Sequence, residues 1–371
     1  MKKIGILTFH TAMNYGAILQ TYALYKTIAS MGHMPLIINR QATTIFSGKW
    51  KAILRYLLLK ILPLNLCSFH RRLLMAKRFD IFSKKNLPNK TLPFFSSRQL
   101  KRKKIDVDCI VVGSDQIWNY NLSESQSPGM GLDMFVNFLP ENIKRVSYAA
   151  SFGTAKWNYD TDLTFKIKTL LCKFSAISVR ENSGVDICKE IFNLKAKKVL
   201  DPTLLLSQKH YDGLLQDSQL DLTPYILFFK FNWDNGFCNL IETLPDKTSL
   251  PICSINSKKE SGCYRSVYSP TIAQWLTYIK NAHIVITDSF HALAFSIIYN
   301  KPFVVLNNGI PERMDRQTDL LKSLGINDRC LSYEDVLNNI NSLMDLNYSE
   351  ANNRLALKRK ESIEFLEHSL Q

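Results

Sequence analysis

Two rhythms of apolar residues alternate along the chain. KIGILTF, PLIINR, IVVG, KRVSYAASFG and FSAISVREN are short solid runs, several ending in small or charged residues. Runs of that kind are the signature of strands covered on both faces of a parallel sheet. Between the first two, NYGAILQTYALYKTIASMGH keeps helical spacing: Ala17, Leu19, Tyr22, Ala23, Leu24, Ile28 and Ala29 fall in one broad stripe, and Gly32 fits a C-terminal cap. The opening therefore reads β-loop-α-β, the start of a parallel α/β sheet. A second series begins near Lys197 with KKVLDPTLLL, YILFFKF, PICSIN, HIVITDSFHALAFSIIYN and PFVVLNN, interleaved with helical stretches such as 269–281. The segment from Tyr333 through Leu370 reads as helical throughout. The pattern predicts an α/β protein with two Rossmann-like domains facing each other across a cleft. The first spans residues 1–190 and carries a helical insertion at 41–104; the second spans 191–345; a closing helix occupies 346–371. Ligands of open parallel sheets sit outside the carboxyl ends of strands, so the strand tails are where chemistry is expected.

Composition narrows the class. At 371 residues and 46% hydrophobic, the chain is long and apolar enough to bury a large core. Its longest apolar runs stop well short of the roughly 18 residues of a membrane span. The basic start resembles that of an export signal, but the apolar stretch behind it is too short and suits a first strand. The cysteines form no Cys-x-x-Cys pair and no cluster with histidine, which fits reduced core thiols in a cytosolic protein. No carboxylate pair or His-rich set has metal-ligand spacing, so neither a bound metal nor a cofactor is expected.

The net charge of +15 is unevenly placed. Residues 1–105 hold 20 Lys/Arg against the single acid Asp80, a surplus of +19, and the rest of the chain is slightly acidic. A one-sided basic surface faces something polyanionic: nucleic acid, a phosphorylated substrate or anionic lipid. Within the insertion, WKAILRYLLLKILPL and FHRRLLMAKRFDIF read as two amphipathic helices, the composition of segments that lie in a membrane interface without crossing it.

Five segments read together resemble the polysaccharide pyruvyl transferase family. They are KIGILTFHTAMNYGAILQTYAL, VVGSDQIWN, SYAASFG, ISVRENSG with VLDPTLLL, and VITDSFHALAFSIIYNKPFVVLNN, in the family's order across roughly residues 1–310. The resemblance implies a GT-B-like architecture. It also implies transfer of the enolpyruvyl carbons of phosphoenolpyruvate onto two hydroxyls of one sugar, leaving a cyclic ketal and free phosphate. Phosphoenolpyruvate then serves as co-substrate. The implied acceptor is a hexose of a surface polysaccharide repeat, converted to a 4,6- or 3,4-ketal; the basic insertion adds the expectation of a polyprenyl-pyrophosphate-linked acceptor met at the inner face of the plasma membrane.

The chemistry assigns residues to that reaction. A carboxylate and a phosphate call for cationic forks, which arginine supplies best, and protonation of C3 calls for a positioned acid, usually histidine. His291, at the strand-to-helix junction of ITDSFHALAF, is the expected acid; Asp288 or Ser289 is a possible cap for the helix that follows. Arg180, ending the run FSAISV, is the expected anion ligand. Some family members carry arginine where this chain has Ser289, and Arg313 or Arg316 is the expected substitute. Asn14, Tyr15 and Gly16 precede a helix whose free amides are candidates for holding a phosphate or sugar hydroxyl. In GSDQIWN, Asp115 is a candidate base or hydroxyl acceptor, Trp118 offers a face for a sugar ring, and Asn119 accompanies it on the acceptor side.

Two other classes fit parts of the sequence. A GT-B glycosyltransferase would share the architecture and release a nucleoside diphosphate instead of phosphate. A nucleic-acid-binding module would explain the basic half, but no helix-turn-helix, zinc or RNA-recognition pattern accompanies that charge, so no nucleic-acid partner is expected.

Overall fold

The computed structural model describes residues 1–43, 49–61, 71–215, 224–230, 234–255, 264–307 and 311–371. The chain divides into two units, the first comprising Met1–Pro63, Asp80–Leu205 and Leu357–Gln371, the second Leu64–Phe79 and Leu206–Ala356.

In the first unit, β1 (Lys3–Leu7), β2 (Met34–Ile37), β3 (Cys109–Val112) and β4 (Lys144–Ser147) form a parallel sheet in the order β2-β1-β3-β4. The short pair β5 (Ser178–Val179) and β6 (Lys197–Lys198) continues it, since Ser147 N donates to Ala176 O at 3.0 Å and Arg180 N to Ala150 O at 3.2 Å. Strand order reverses between β1 and β3, the switch point at which open α/β sheets leave a crevice. Helix α1 (Tyr15–Ser30) is buried nearly all round, which its apolar stripe alone does not convey. Gly32 stands past its end at φ +80°, as expected. Strand β3 is wholly buried, with Ile110 and Val112 in the same core cluster as Leu7, Trp118 and Phe135.

The second unit holds β7 (Ile226–Phe229), β8 (Ile252–Ile255), β9 (Arg265–Val267), β10 (Ile284–Thr287), β11 (Phe303–Leu306) and β12 (Cys330–Leu331). They are all parallel, in the order β12-β11-β10-β7-β8-β9, with the reversal between β10 and β7. The runs ILFF, IVIT and FVVL are fully buried, which is why they read as continuous apolar stretches without alternation.

Both expected insertion helices form, as α2 (Lys49–Ile61) and α3 (Arg71–Asn86). Residues 71–79 nevertheless belong with the second unit, where the Arg71 guanidinium stacks 3.6 Å from the Tyr268 ring centre and Arg71 O accepts from Ser269 Oγ. The boundary expected at 190 moves to Leu205. Tyr148 Oη donates to Leu200 O at 3.1 Å and Arg359 Nε to Leu204 O at 2.7 Å, holding the 191–205 segment in the first unit. The helix expected to run unbroken from Tyr333 is two helices, Tyr333–Leu343 and Ser349–Leu370. Arg329 accounts for the break by donating to the carbonyls of Leu343 (2.8 Å) and Asp345 (2.6 Å), and the Asn347 side chain accepts from Ser349 N at the restart.

Candidate functional site

The switch point of the first unit is built from the tails of β1 and β3. Gly113 is the residue that lets the β3 tail pass close to the tail of β4 at Tyr148. Its φ is +138°, and a Cβ there would lie 1.9 Å from Tyr148 O, so only glycine fits. Behind it, Ser114 N and Oγ donate to Gln20 Oε1 at 3.1 and 3.2 Å, and Thr8 Oγ1 donates to Ser114 O at 3.1 Å. Asp115 follows at φ +72°, a left-handed conformation that aspartate tolerates better than most residues.

Around this tail, three carboxylates surround one guanidinium. Arg180 Nη1 donates to Asp201 Oδ2 at 2.9 Å, Arg180 Nε lies 3.6 Å from Glu181 Oε2, and Nη2 lies 3.7 Å from Asp115 Oδ1. Asp201 also accepts from Ser114 Oγ (3.1 Å) and from the Thr203 amide and hydroxyl, while Glu181 accepts from Ser151 Oγ. Burial pulls the Arg180 pKa down, but Asp201, Glu181 and Asp115 overcome it and raise it above the ordinary arginine value. The side chain of Asp115 is 14% exposed, against 2% for Glu181 and 0% for Asp201, so Asp115 is the most accessible of the three carboxylates.

This arrangement changes several expectations. Arg180 is nine-tenths buried among three negative charges, so an incoming anion would meet a net negative surround; that speaks against its use as a bare anion ligand. Trp118 is completely buried, stacked on Phe135 and donating Nε1–H to Met134 O at 3.2 Å, so it offers no face to a sugar. Asn14 caps α1, accepting from Gly16 N (2.8 Å) and Ala17 N (3.4 Å), and Tyr15 is 1% exposed; the amides expected for a ligand are bound by the chain's own cap. Asn119 likewise caps the helix Tyr120–Gln126 by accepting from Leu122 N.

The switch point of the second unit gathers the tails of β7 and β10. Phe229 pairs with Thr287, which brings Lys230 and Asp288 side by side. Lys230 Nζ is buried, 3.5 Å from Asp288 Oδ2 and 3.4 Å from Asp234 Oδ2, and it also faces the Phe237 ring. Tyr333 Oη donates to Asp234 at 2.7 Å, and burial together with that bond pushes the Tyr333 phenol above its usual range. Ser289 caps the helix Phe290–Ile298, accepting from Ala292 N, while Ser289 N donates to Thr287 Oγ1. His291 sits in the first turn, buried and edge-on to Phe290. Gln317, buried, donates to Asp288 O at 2.9 Å and fixes the tail. Arg316 is half-buried on the helix Pro311–Leu324; the Arg313 side chain lies outside the described residues.

Lys230, Gln317 and Asp201 were not singled out in the sequence. Lys230 carried a readable signal, since it ends the buried run ILFF as Arg180 ends ISV. Asp201 stands in VLDP and needed the fold to bring it 21 positions back to Arg180. Among the described residues, no three His, Cys, Asp or Glu side chains converge as metal ligands, and no helix is long and apolar enough to cross a membrane.

The chain matches the family model "Polysaccharide pyruvyl transferase" over residues 14–309. No curated protein sequence matches it. Among solved structures, S. aureus MnaA with UDP superimposes with a TM-score of 0.55 at 12% identity, covering 97% of this chain and 91% of that one. The UDP-GlcNAc 2-epimerase from Neisseria meningitidis bound to UDP-GlcNAc gives 0.53 at 10% identity, with 99% of each chain covered. The UDP-N-acetylglucosamine 2-epimerase from Rickettsia bellii gives 0.52 at 10%, covering 98% and 95%. At such identities the likeness is one of fold: an α/β chain with two Rossmann-like, GT-B-type units.

Proposed function

This chain belongs to the polysaccharide pyruvyl transferase family, and from that membership we propose a reaction in which phosphoenolpyruvate is the donor and a sugar diol the acceptor. The enzyme is a pyruvyltransferase of polysaccharide biosynthesis. In the proposed step, His291 gives a proton to C3 of phosphoenolpyruvate, and the C2 cation so formed is captured by one sugar hydroxyl, whose proton passes to Asp115. Phosphate then leaves C2, and the second hydroxyl closes the ketal as its proton is lost. The net change is one phosphoenolpyruvate and one diol to one ketal and one phosphate.

The observation that carries this reading is the pairing of β7 with β10, which sets Lys230 beside the tail bearing Asp288, Ser289 and His291. A cation and an acid then share the crevice where such sheets bind ligands. Lys230 supplies the positive charge that Ser289 does not. Lys230 Nζ stands 3.4–3.5 Å from Asp234 and Asp288, longer than the 2.9 Å Arg180–Asp201 bond, and Asp234 is half-exposed, so this ion pairing is the looser of the two. Arg180 is a positioning residue in this account: it holds the Asp115 carboxylate in place. The acceptor is a hexose in a surface polysaccharide repeat, capsular or exopolysaccharide, carried on polyprenyl pyrophosphate at the cytoplasmic leaflet.

Transfer run in deuterated water tests the order of events. The account requires one solvent deuterium in the methyl group of the ketal, because the third hydrogen comes from an exchangeable acid. A ketal whose methyl group carries no deuterium contradicts it.

A further inference from the structure

Helix α2 carries an apolar stripe that the transfer chemistry does not use. Trp50 is 82% exposed, Ile61 79%, Leu54 57%, Leu57 49% and Leu58 40%. At 3.6 residues per turn these positions fall within an arc of roughly 100°, a single face. Exposed apolar residues scattered singly are ordinary; five on one face of one helix mark an interaction surface. Lys51 is exposed on the same helix. KWKAILRYLLLKI contains no acid and four cations, and from Lys49 to Lys104 the only acid is Asp80, already paired with Lys84 at 2.6 Å.

We propose that α2 docks the enzyme on an anionic lipid surface, with the Trp50–Ile61 stripe seated at the boundary between headgroups and acyl chains. The helix has 13 residues. At about 1.5 Å per residue it is too short for a hydrocarbon core of about 30 Å, so it lies in the plane of the interface. A second copy of the chain or another protein would cover the leucines equally well, but would not account for the missing acids. An anionic leaflet accounts for both, since the apolar stripe inserts while Lys and Arg are drawn to the headgroups. The proposal rests on the reading of a membrane-borne acceptor for its use to the enzyme, while the docking itself is measured without turnover.

The test is flotation of the full chain with vesicles of phosphatidylcholine alone and of equal parts phosphatidylglycerol and phosphatidylcholine. The wild type is expected to float with the anionic vesicles at least roughly tenfold more than with the neutral ones, and less as salt rises. The variant W50S/L54S/I61S should lose roughly tenfold or more of that binding, and Lys51→Glu a smaller share, both keeping wild-type turnover on a water-soluble acceptor fragment. Because these side chains are exposed, both variants should also keep the wild-type circular dichroism. Failure of the wild type to float overturns the proposal, as does a triple variant that floats like the wild type. So does a concentration-dependent dimer that the triple variant abolishes while lipid binding is absent. Normal flotation with no pyruvyl transfer supports the docking and removes the reaction instead.

Discussion

The ammonium of Lys230 stands 3.5 Å from the carboxylate of Asp288, at the place in the second unit where strand order reverses. Both residues follow directly on the paired positions Phe229 and Thr287. If this ammonium meets the anionic donor, Lys230→Gln should raise KM for phosphoenolpyruvate about tenfold to a hundredfold, the worth of one charge-assisted bond. The acceptor KM should be unchanged. Steady-state kinetics with each substrate varied in turn checks this, and an unchanged donor KM in a folded variant would reduce Lys230 to a structural partner of Asp288 and Asp234.

His291 is the proposed proton donor. His291→Ala should lower kcat by a factor on the order of 10²–10⁴, as loss of a general acid does, without moving the melting temperature far. Near-normal turnover would take His291 out of the chemistry.

Arg180 is expected to act through the fold and through Asp115. Arg180→Gln leaves Asp201, Glu181 and Asp115 facing one another without a cation, and breaking a buried ion cluster in this way costs about 3–5 kcal/mol. Arg180→Lys keeps the charge but not the fork, and should recover part of that stability. Denaturant unfolding of the two variants reads the difference. A fully stable Arg180→Lys protein that no longer binds phosphoenolpyruvate would restore Arg180 to the role of anion ligand.

Acid sensitivity should come in part from His10. Its ring nitrogens lie 3.1 Å from Thr8 O and 2.9 Å from Asn39 Oδ1, but complete burial dominates and pushes its pKa down to about 4. The unfolded chain takes up this proton near pH 6.5, the folded chain only near 4. The unfolded state therefore binds more protons in between, and the stability present above pH 6.5 is lost as pH falls toward 4, by on the order of 3 kcal/mol. Urea unfolding of the wild type and His10→Gln across that window should show the wild type losing this amount relative to the variant. Parallel curves would assign the acid sensitivity elsewhere.

The strands, the end of α1 at Gly32 and the His291 junction were legible because each is a local pattern: a buried run, a glycine past a helix end, a helix start. The roles of Arg180 and Trp118 were not. Both stand in the expected strand tails, but whether such a tail faces solvent depends on Asp201, Phe135 and Phe152, which come from elsewhere in the chain. Lys230 was missed for the same reason, since its meaning lies in the β7–β10 register and not in its neighbours in sequence. The C-terminal break was hidden because Arg329, the residue that draws on the carbonyls of Leu343 and Asp345, precedes the helical pattern it interrupts.

The most direct measurement offers the purified enzyme phosphoenolpyruvate or nucleotide sugars, each with a panel of polyprenyl-pyrophosphate-linked oligosaccharides, and weighs the products. The account predicts that phosphoenolpyruvate alone supports reaction, that one acceptor gains the mass of pyruvate less one water, and that inorganic phosphate appears in equal amount. Consumption of a nucleotide sugar with release of a nucleoside diphosphate, and no use of phosphoenolpyruvate, would contradict it.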